Sequence, residues 1–408
     1  MKRRSSLSAA ASSAGLAVLL IALPATTARR PRYGGILRVE IGAMLSSIDP
    51  AGSSSNADGS AAGASIDSLI YDVRNPDRTH LGAGAFHVTA FEPGKRARLT
   101  ATEEYRLGRP FVDSIEIAMG LSAQERIVDL ELSKTDFAEI PAEDARKASE
   151  RGVRVSRSQP DELLALVFSS EGDPERGKPV DARVREALAL SIDRAAIVSF
   201  ILQKEGEASG GLLPQWSSGT AFLFSTAADP AHAKELSAQI VPSPKIVLGY
   251  DFGDALERAV AERIAVNARE AGITVTTRGT PGFPGVLAPL DERIWKRSPG
   301  TVDAVLVRVS MPSRNPAETL EDFASLLGIT TSMNAYYVAQ SSSAEEIYNR
   351  EREIVSTYRV IPLVWLPRVY GLSARVRNWT PPGPGESWPL ADVWLDGPVE
   401  AVSDEGKK

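Results

Sequence analysis

The sequence predicts an α/β protein, and three patterns support this fold class. An apolar strand at 246–250, a capped helix and an alternating strand at 273–277 follow one another in the order of a βαβ unit. A long amphipathic helix is predicted over about 180–202, because its apolar residues recur at helical spacing. A more polar helix over 343–358 precedes an apolar strand at 361–366. Strands that alternate with helices indicate a sheet covered by helices.

The first 28 residues have the pattern of a signal peptide. Lys2, Arg3 and Arg4 precede an apolar stretch over 14–23, and small residues follow up to Ala28. The apolar stretch is short for a membrane span, which needs about 20 residues. We therefore expect residues 1–28 to be removed and the remainder to be periplasmic. The Arg3-Arg4 pair leaves twin-arginine export open beside Sec-type export.

The segment after the signal peptide begins with strand-like alternation. A first strand is predicted at 34–41, and Ile48-Asp49-Pro50 then turns the chain. Residues 51–65 contain only small or polar side chains. Such a stretch cannot offset the entropy lost on ordering, so we expect a flexible loop there.

Local capping signals mark two helix starts and one helix end. Ser122 with Glu125, and Asp254 with Glu257, each have the spacing of a capping box. Gly272 stands where a left-handed residue would end the second of these helices.

Composition excludes several functional classes. The formal charge of −6 becomes more negative once three N-terminal cations are removed, which argues against a nucleic-acid partner. There is no cysteine, so an ordinary apolar core must hold the fold together. His80, His87 and His232 are isolated in sequence and do not have metal-ligand spacing. We expect no cofactor and no bound metal.

Motifs typical of catalysis are weak or absent. The segment 172–178 has phosphate-loop spacing, but Pro179 replaces the hydroxyl residue, and Asp173 and Glu175 would face the phosphates, which favours a charged turn. Neither G-x-S-x-G nor S-x-x-K occurs in the sequence. Tryptophans are concentrated near the C-terminus, and packing on the core explains them better than ligand stacking.

Four groups of motifs resemble the large extracellular solute-binding family of dipeptide-, oligopeptide- and nickel-binding proteins. In chain order they are Tyr33-Gly-Gly-Ile-Leu-Arg-Val with Ile48-Asp-Pro50; Gly82-Ala-Gly-Ala-Phe86 with Glu103-Glu-Tyr-Arg-Leu-Gly-Arg-Pro-Phe-Val-Asp-Ser-Ile115; Val180-Asp-Ala-Arg-Val-Arg-Glu-Ala-Leu-Ala-Leu-Ser-Ile-Asp-Arg194 with Leu212-Leu-Pro214; and Ile361-Pro-Leu with Val369-Tyr-Gly-Leu-Ser-Ala-Arg-Val376 and Asp392-Val-Trp-Leu395. They extend over nearly the whole mature chain.

The resemblance implies a two-lobed periplasmic-binding-protein fold of type II with a hinge. We expect residues 29–240 to form lobe 1, with 375–408 returning to it, and residues 241–374 to form lobe 2. The family also has an extra lobe before its G-T-G-P-F segment. Here Ile70-Tyr-Asp72 is followed within a few residues by the match that begins at His80, so we expect that lobe to be missing.

The ligand-contacting segment departs from the family pattern. Where the family often reads G-W-x-x-D-Y-P-D-P, this chain has Arg308-Val-Ser-Met-Pro-Ser-Arg-Asn-Pro316, and Ser169 stands where the family commonly has Asn. The resemblance therefore implies ligand contacts at Ser169, Arg308, Ser310 and Arg314. Because Pro312 replaces the family's acid between two arginines, we expect an anionic group of the solute to bind better than a cationic one. The alternative is that Arg308 and Arg314 point into solvent and bind nothing.

The function implied by the resemblance is capture of a peptide-like small solute and its delivery to ABC permease subunits in the inner membrane, by a monomer and without catalysis. Two alternatives remain open at this point. The chain could be a sensory or degenerate binding protein with no transported ligand. An exported hydrolase is the less favoured alternative, because the sequence lacks a nucleophile motif.

Overall fold

A computed structural model of the chain describes residues 30–48, 66, 84–169, 179–218, 224–280, 302–327 and 343–397. Within these residues the strands are β1 (Ile36–Glu40), β2 (Phe86–Glu92), β3 (Arg96–Ala101), β4 (Ser114–Ala118), β5 (Phe137–Ile140), β6 (Arg154–Phe168), β7 (Glu207–Ala208), β8 (Lys245–Asp251), β9 (Thr274–Thr280), β10 (Ala304–Ser310), β11 (Val360–Leu372), β12 (Val376–Arg377) and β13 (Trp394–Leu395). The main helices are α1 (Ala123–Glu131), α2 (Ala145–Glu150), α3 (Ala182–Ser191), α4 (Pro230–Ala238), α5 (Ala255–Glu270), α6 (Pro316–Leu326) and α7 (Ala344–Val355).

One mixed sheet connects most of the strands, in the order β2-β3-β4-β1-β5-β11-β6-β10-β8-β9. We call β2, β3, β4, β1 and β5 the first strand group and β10, β8 and β9 the second strand group. The long antiparallel strands β6 and β11 pair with each other between the two groups; β11 also pairs with β5 and β6 with β10, so we call them the bridging strands. With helices packed on the sheet, the fold is α/β, as the sequence predicts.

The cores explain the C-terminal tryptophans. Trp388 is buried, and its ring packs edge-on against Phe137 on β5, with the two ring centroids 5.0 Å apart. Trp379 packs against the same phenylalanine at 4.7 Å. In a separate core cluster, Trp365 of β11 is buried against Phe323 of α6. These contacts confirm the predicted packing role, since buried aromatic rings in pairs contribute strongly to a core.

Predictions from local sequence are largely confirmed. Ser122 and Glu125 form a capping box at the start of α1, and Gly272 ends α5 with a φ of 78°. The predicted βαβ unit is present, because β8 and β9 are parallel and α5 connects them. The capping box predicted at Asp254 and Glu257 is wrong in one half. Asp254 caps α5, but the Glu257 carboxylate accepts instead from the backbone N–H of Asp251 at 2.8 Å.

The long helix predicted over 180–202 is interrupted. The helix α3 ends at Ser191, and Ile192 has an extended conformation. Asp193 then caps a new helical turn by accepting from the N–H of Ala196 at 2.9 Å, and a π-helical turn over Ile197–Ile201 follows. The apolar spacing continues through the break because both pieces bury the same face. Hydrophobic periodicity alone could not reveal the cap.

Some predictions lie outside the described residues: the signal peptide at 1–28, the loop at 51–65, the segment 172–178, His80 and Gly82. None of the helices in the described part of the chain has the length and apolar character needed to span a membrane.

A buried carboxyl group holds the loop that precedes Pro214. Glu351 on α7 is only 3% exposed, and its Oε1 accepts from the backbone N–H groups of Leu212 and Leu213. Burial raises the pKa of Glu351 from its ordinary 4.5 to about 7, although these hydrogen bonds favour the charged form. Between about pH 4.5 and 7 the folded protein therefore holds a proton that the unfolded chain has already released.

We predict that Glu351→Gln changes the pH dependence of stability. A raised folded-state pKa contributes stability that is complete below about pH 4.5 and is lost as pH rises through about 7. Between pH 5 and 8 the variant should gain roughly 2–3 kcal/mol in the free energy of unfolding relative to wild type, measured by urea denaturation. Glu345→Gln, on the exposed start of the same helix, is the control. If Glu351→Gln changed the free energy of unfolding equally at pH 5 and pH 8, the prediction would be wrong.

Candidate ligand crevice at the bridging strands

The two strand groups direct their carboxyl ends toward the same part of the bridging strands. Strands β1, β4 and β5 are parallel to one another, as are β8, β9 and β10. The last residue of β5 lies opposite Val369 of β11, and the last residue of β10 lies opposite Glu162 of β6, which itself faces Leu366 of β11. In open α/β sheets, ligands bind outside the carboxyl ends of strands where the connections diverge. We call this place the crevice.

The bridging ladder is irregular at the crevice. Pro160 of β6 faces Pro367 of β11, and the register shifts on both sides of Pro367. Proline has no backbone N–H, so two facing prolines remove ladder hydrogen bonds from both strands. The ladder between the two strand groups therefore has fewer backbone hydrogen bonds at this point than a regular antiparallel ladder would have.

Arg308 connects the second strand group to the bridging strand β6 through carboxylates. It extends from β10, donates from Nη1 to Asp254 Oδ2 at 3.0 Å, and donates from Nε to Glu162 Oε2 at 3.0 Å. Burial opposes its charge, yet Glu162 and Asp254 together raise the pKa of Arg308 above its ordinary value. The guanidinium charge is thus held in place by protein groups before any ligand arrives.

The other predicted ligand contacts lie in different places. Ser310 is exposed at the end of β10, beside the crevice. Ser169 is buried just past the end of β6, where its N–H donates to the carbonyl of Asp303 at 3.1 Å. At the rise of a strand, Ser169 is roughly 20 Å from the level of Ser310. Arg314 follows β10 and donates to Glu386 Oε1 at 2.9 Å, with both side chains exposed. The structure therefore brings together Arg308 and Ser310 only.

The crevice does not have the positive surplus that the sequence predicts. Arg308 has two carboxylate partners, and Arg314 has one. Glu143, just after β5, adds a further carboxyl group close enough to interact electrostatically with Arg308 and Asp254. Burial is the largest cause of the raised pKa of Glu143, and Asp254 raises it further. The Glu143 Oε2 atom is buried and lacks a hydrogen-bond partner among the described residues.

A second buried ion pair closes the crossing itself. Asp161 of β6 is 1% exposed, and Arg368 of β11 donates from Nε to its Oδ2 at 2.9 Å. The Arg368 guanidinium also donates to the carbonyl of Gly383 at 3.1 Å. Sequence analysis missed these residues. The available signal was the pair of prolines with adjacent charges, Pro160-Asp161 and Pro367-Arg368, inside otherwise apolar strands.

We predict that Arg368→Met destabilises the protein by about 3–5 kcal/mol, because it leaves the carboxylate of Asp161 buried and unpaired. The double variant Asp161→Asn/Arg368→Met should lose less than Arg368→Met alone, since no buried charge remains. Urea unfolding at pH 7 measures both. Arg146→Met, which breaks an exposed pair with Glu150, is the matched control and should cost less than about 1 kcal/mol. If Arg368→Met costs no more than this control, the ion pair has no role in closing the crossing.

A profile of the bacterial extracellular solute-binding proteins, family 5 (Middle), matches residues 56–329. Among curated proteins, the oligopeptide-binding protein AppA of Bacillus subtilis is 28% identical over 129 residues, which are 31% of this chain. That stretch is 23% of AppA, so the match spans about a quarter of the relative's length.

Solved structures show the same fold at low identity. The structure of AppA from Bacillus subtilis in complex with a nonapeptide aligns with a TM-score of 0.58 and 16% identity, over 81% of this chain and 70% of that one. NikA from Staphylococcus aureus in complex with Ni(L-His)2 aligns with a TM-score of 0.62 and 16% identity, over 82% and 74%. The family profile covers about two thirds of the chain and includes β6, β8 and β10 of the crevice. The chain therefore belongs to the bacterial extracellular solute-binding proteins of family 5.

Proposed function

We propose that this chain is the exported substrate-binding component of an ABC importer, and that it captures a small peptide-like solute in the crevice. The observation that carries the proposal is the convergence of the carboxyl ends of β5 and β10 on the interrupted part of the bridging strands. Charged groups from both strand groups face this place, and a solute there could contact both groups at once. The chain would bind and release its solute without catalysing a reaction, in keeping with its family.

The proposed mechanism is closure of two lobes about the bridging strands. In this proposal lobe 1 comprises 29–240 with 375–408, lobe 2 comprises 241–374, and the family's extra lobe is missing. The facing prolines support a hinge there, because the missing ladder bonds lower the cost of bending. With these bounds β6 belongs to lobe 1 and β11 to lobe 2, and the ladder between them joins the lobes, so closure would be a bend of that ladder and not a separation. A solute shifts this equilibrium only as far as it binds the closed form better.

The similar proteins support the class of solute and partner. AppA was solved with a nonapeptide and NikA with a nickel–histidine complex, so this fold accommodates ligands of very different size. We propose a periplasmic location after removal of residues 1–28, action as a monomer, and delivery of the solute to permease subunits of the inner membrane. Arg308 and Ser310 are the predicted contacts used by this proposal. Ser169 and Arg314 remain predictions.

The charges in the crevice favour an ammonium group on the solute. Glu143, Glu162 and Asp254 lie near Arg308, while Arg368, which also interacts with Glu162, is already paired with Asp161. An added cation would provide the donor that the buried Oε2 of Glu143 lacks among the residues that the structure describes. The amino terminus of a peptide supplies such a cation. This reverses the preference for an anionic group expected from Arg308 and Arg314.

We predict that acetylation of the amino terminus weakens binding of trialanine at least tenfold, because it removes the cation that Glu143 would pair with. Titration calorimetry with trialanine and N-acetyl-trialanine measures this, and small-angle scattering tests whether trialanine makes the protein more compact. Glu143→Gln should abolish the difference between the two peptides, whereas Glu150→Gln, on the exposed end of α2, should preserve it. Equal affinity of the two peptides for wild type would refute the charge assignment.

Absence of any solute from protein purified from its host, with no binding across a peptide library, would refute the proposed function.

A further inference from the structure

A separate cavity of about 730 Å³ opens on one face of the first strand group. Its lining comes from β1 to β4 and from Lys134 and Thr135, which lie just before β5. The crevice, in contrast, is built from β6, β10 and the segments that follow β5 and β8. The volume lies within the range of about 300–1,000 Å³ that is usual for sites of small molecules.

The register of the strands places a small residue at the floor of the cavity, with an acidic residue on one side of it and an arginine on the other. Glu40 of β1 lies opposite Ala118 of β4, and Ala118 lies opposite Arg96 of β3. Facing residues on neighbouring strands lie on the same face of a sheet. Because the alanine methyl cannot fill its place in this row, a hollow remains between the acid and the guanidinium. Two strand spacings separate their backbones, about 10 Å.

The inner wall of the cavity carries an unsatisfied acceptor. Glu40 is only 8% exposed and lines the cavity. Its carboxyl group lies close to that of Asp129, which helps burial to raise the pKa of Glu40, and its Oε2 has no partner in the described part of the chain. A buried acceptor without a donor costs free energy, and native structures rarely leave one without a reason. An N–H group entering the cavity would satisfy it.

The outer wall carries donors with spare capacity. Arg96 donates from Nε to Glu92 Oε2 at 2.9 Å, and its side chain is otherwise exposed. Arg98 is paired with Glu116, one row further along the sheet. A guanidinium has five N–H donors, so one carboxylate partner leaves several for a second. The two arginines are two residues apart on β3 and therefore lie on the same face.

We propose that this cavity is a second binding site and that it takes a small zwitterion of amino-acid to dipeptide length. Its ammonium group would donate to Glu40, and its carboxylate would accept from Arg96 and Arg98. Ala118 sets the length of the ligand, because it is the small residue between the two walls. The site does not depend on the crevice, since the residues that line it belong to other segments.

Glycylglycine is the probe, and the amide signals of Ala90 and Ala118 in isotope-labelled protein report binding at the cavity itself. We expect saturable shifts of these signals, with at least tenfold weaker binding for N-acetyl-glycylglycine and for glycylglycine amide. Arg96→Ala and Glu40→Gln should each weaken binding at least tenfold. Ala118→Leu should abolish it by filling the hollow. Circular dichroism verifies that each variant is folded. Because the Arg96 side chain is exposed, Arg96→Ala should leave the fold intact.

Arg258→Ala is the matched control for Arg96→Ala. Arg258 is also exposed and also donates from Nε to a glutamate four residues away, at 3.0 Å, but it lies on α5. It should leave the affinity unchanged. Unshifted Ala90 and Ala118 signals at saturating glycylglycine would overturn the proposal, as would binding that is indifferent to both Arg96→Ala and Ala118→Leu. A loss on Glu143→Gln, with none on Arg96→Ala, would assign the probe to the crevice and would also overturn it.

Discussion

The pairing of β6 with β11 is the constraint on which the rest of the structure depends. β11 pairs with β5 of the first strand group and β6 pairs with β10 of the second, so the two groups are held in one sheet by the ladder between β6 and β11. The ladder shifts register between Pro362 and Val364 and again on both sides of Pro367, and the second irregularity lies where the two strand groups meet. The facing prolines there leave both strands without ladder hydrogen bonds, which favours a bend at that point. The same interruption opens the ends of β5 and β10 to a common space.

Charge burial at this interruption follows from the geometry. The two prolines interrupt the ladder, and charged residues follow each of them in sequence. These are Asp161 and Glu162 after Pro160, and Arg368 after Pro367. An ionised carboxylate at such a place is stabilised by a cationic partner, and Arg308 and Arg368 supply the partners of Glu162 and Asp161 from neighbouring strands. These pairs contribute little net stability compared with apolar packing. They do restrict which strand can lie beside which, because any other register would leave a charge unpaired.

Local sequence predicted much of the fold and little of the crevice. The caps at Ser122 and Gly272 and the βαβ unit were predictable, because each depends on residues close together in the chain. The break at Asp193 was not, since apolar periodicity continues through it. Arg308 was singled out from sequence, but its partner Glu162 lies 146 residues earlier. Whether an arginine is available to a ligand depends on such distant partners. The residues around Arg308 in sequence therefore could not show that its charge is already paired.

The cavity on the first strand group shows how a register can create chemistry that no motif carries. Glu40, Ala118 and Arg96 come from three strands and have no shared sequence pattern. A shift of β4 by one residue would replace Ala118 by a neighbour and turn its side chain to the opposite face. That opposite face packs on the apolar core around Leu37 and Trp388, which strongly resists such a shift. The burial that fixes the register on one side of the sheet therefore also fixes the row of charges on the other. The side chains of such a polar site are therefore held in place as firmly as the core residues on the opposite face.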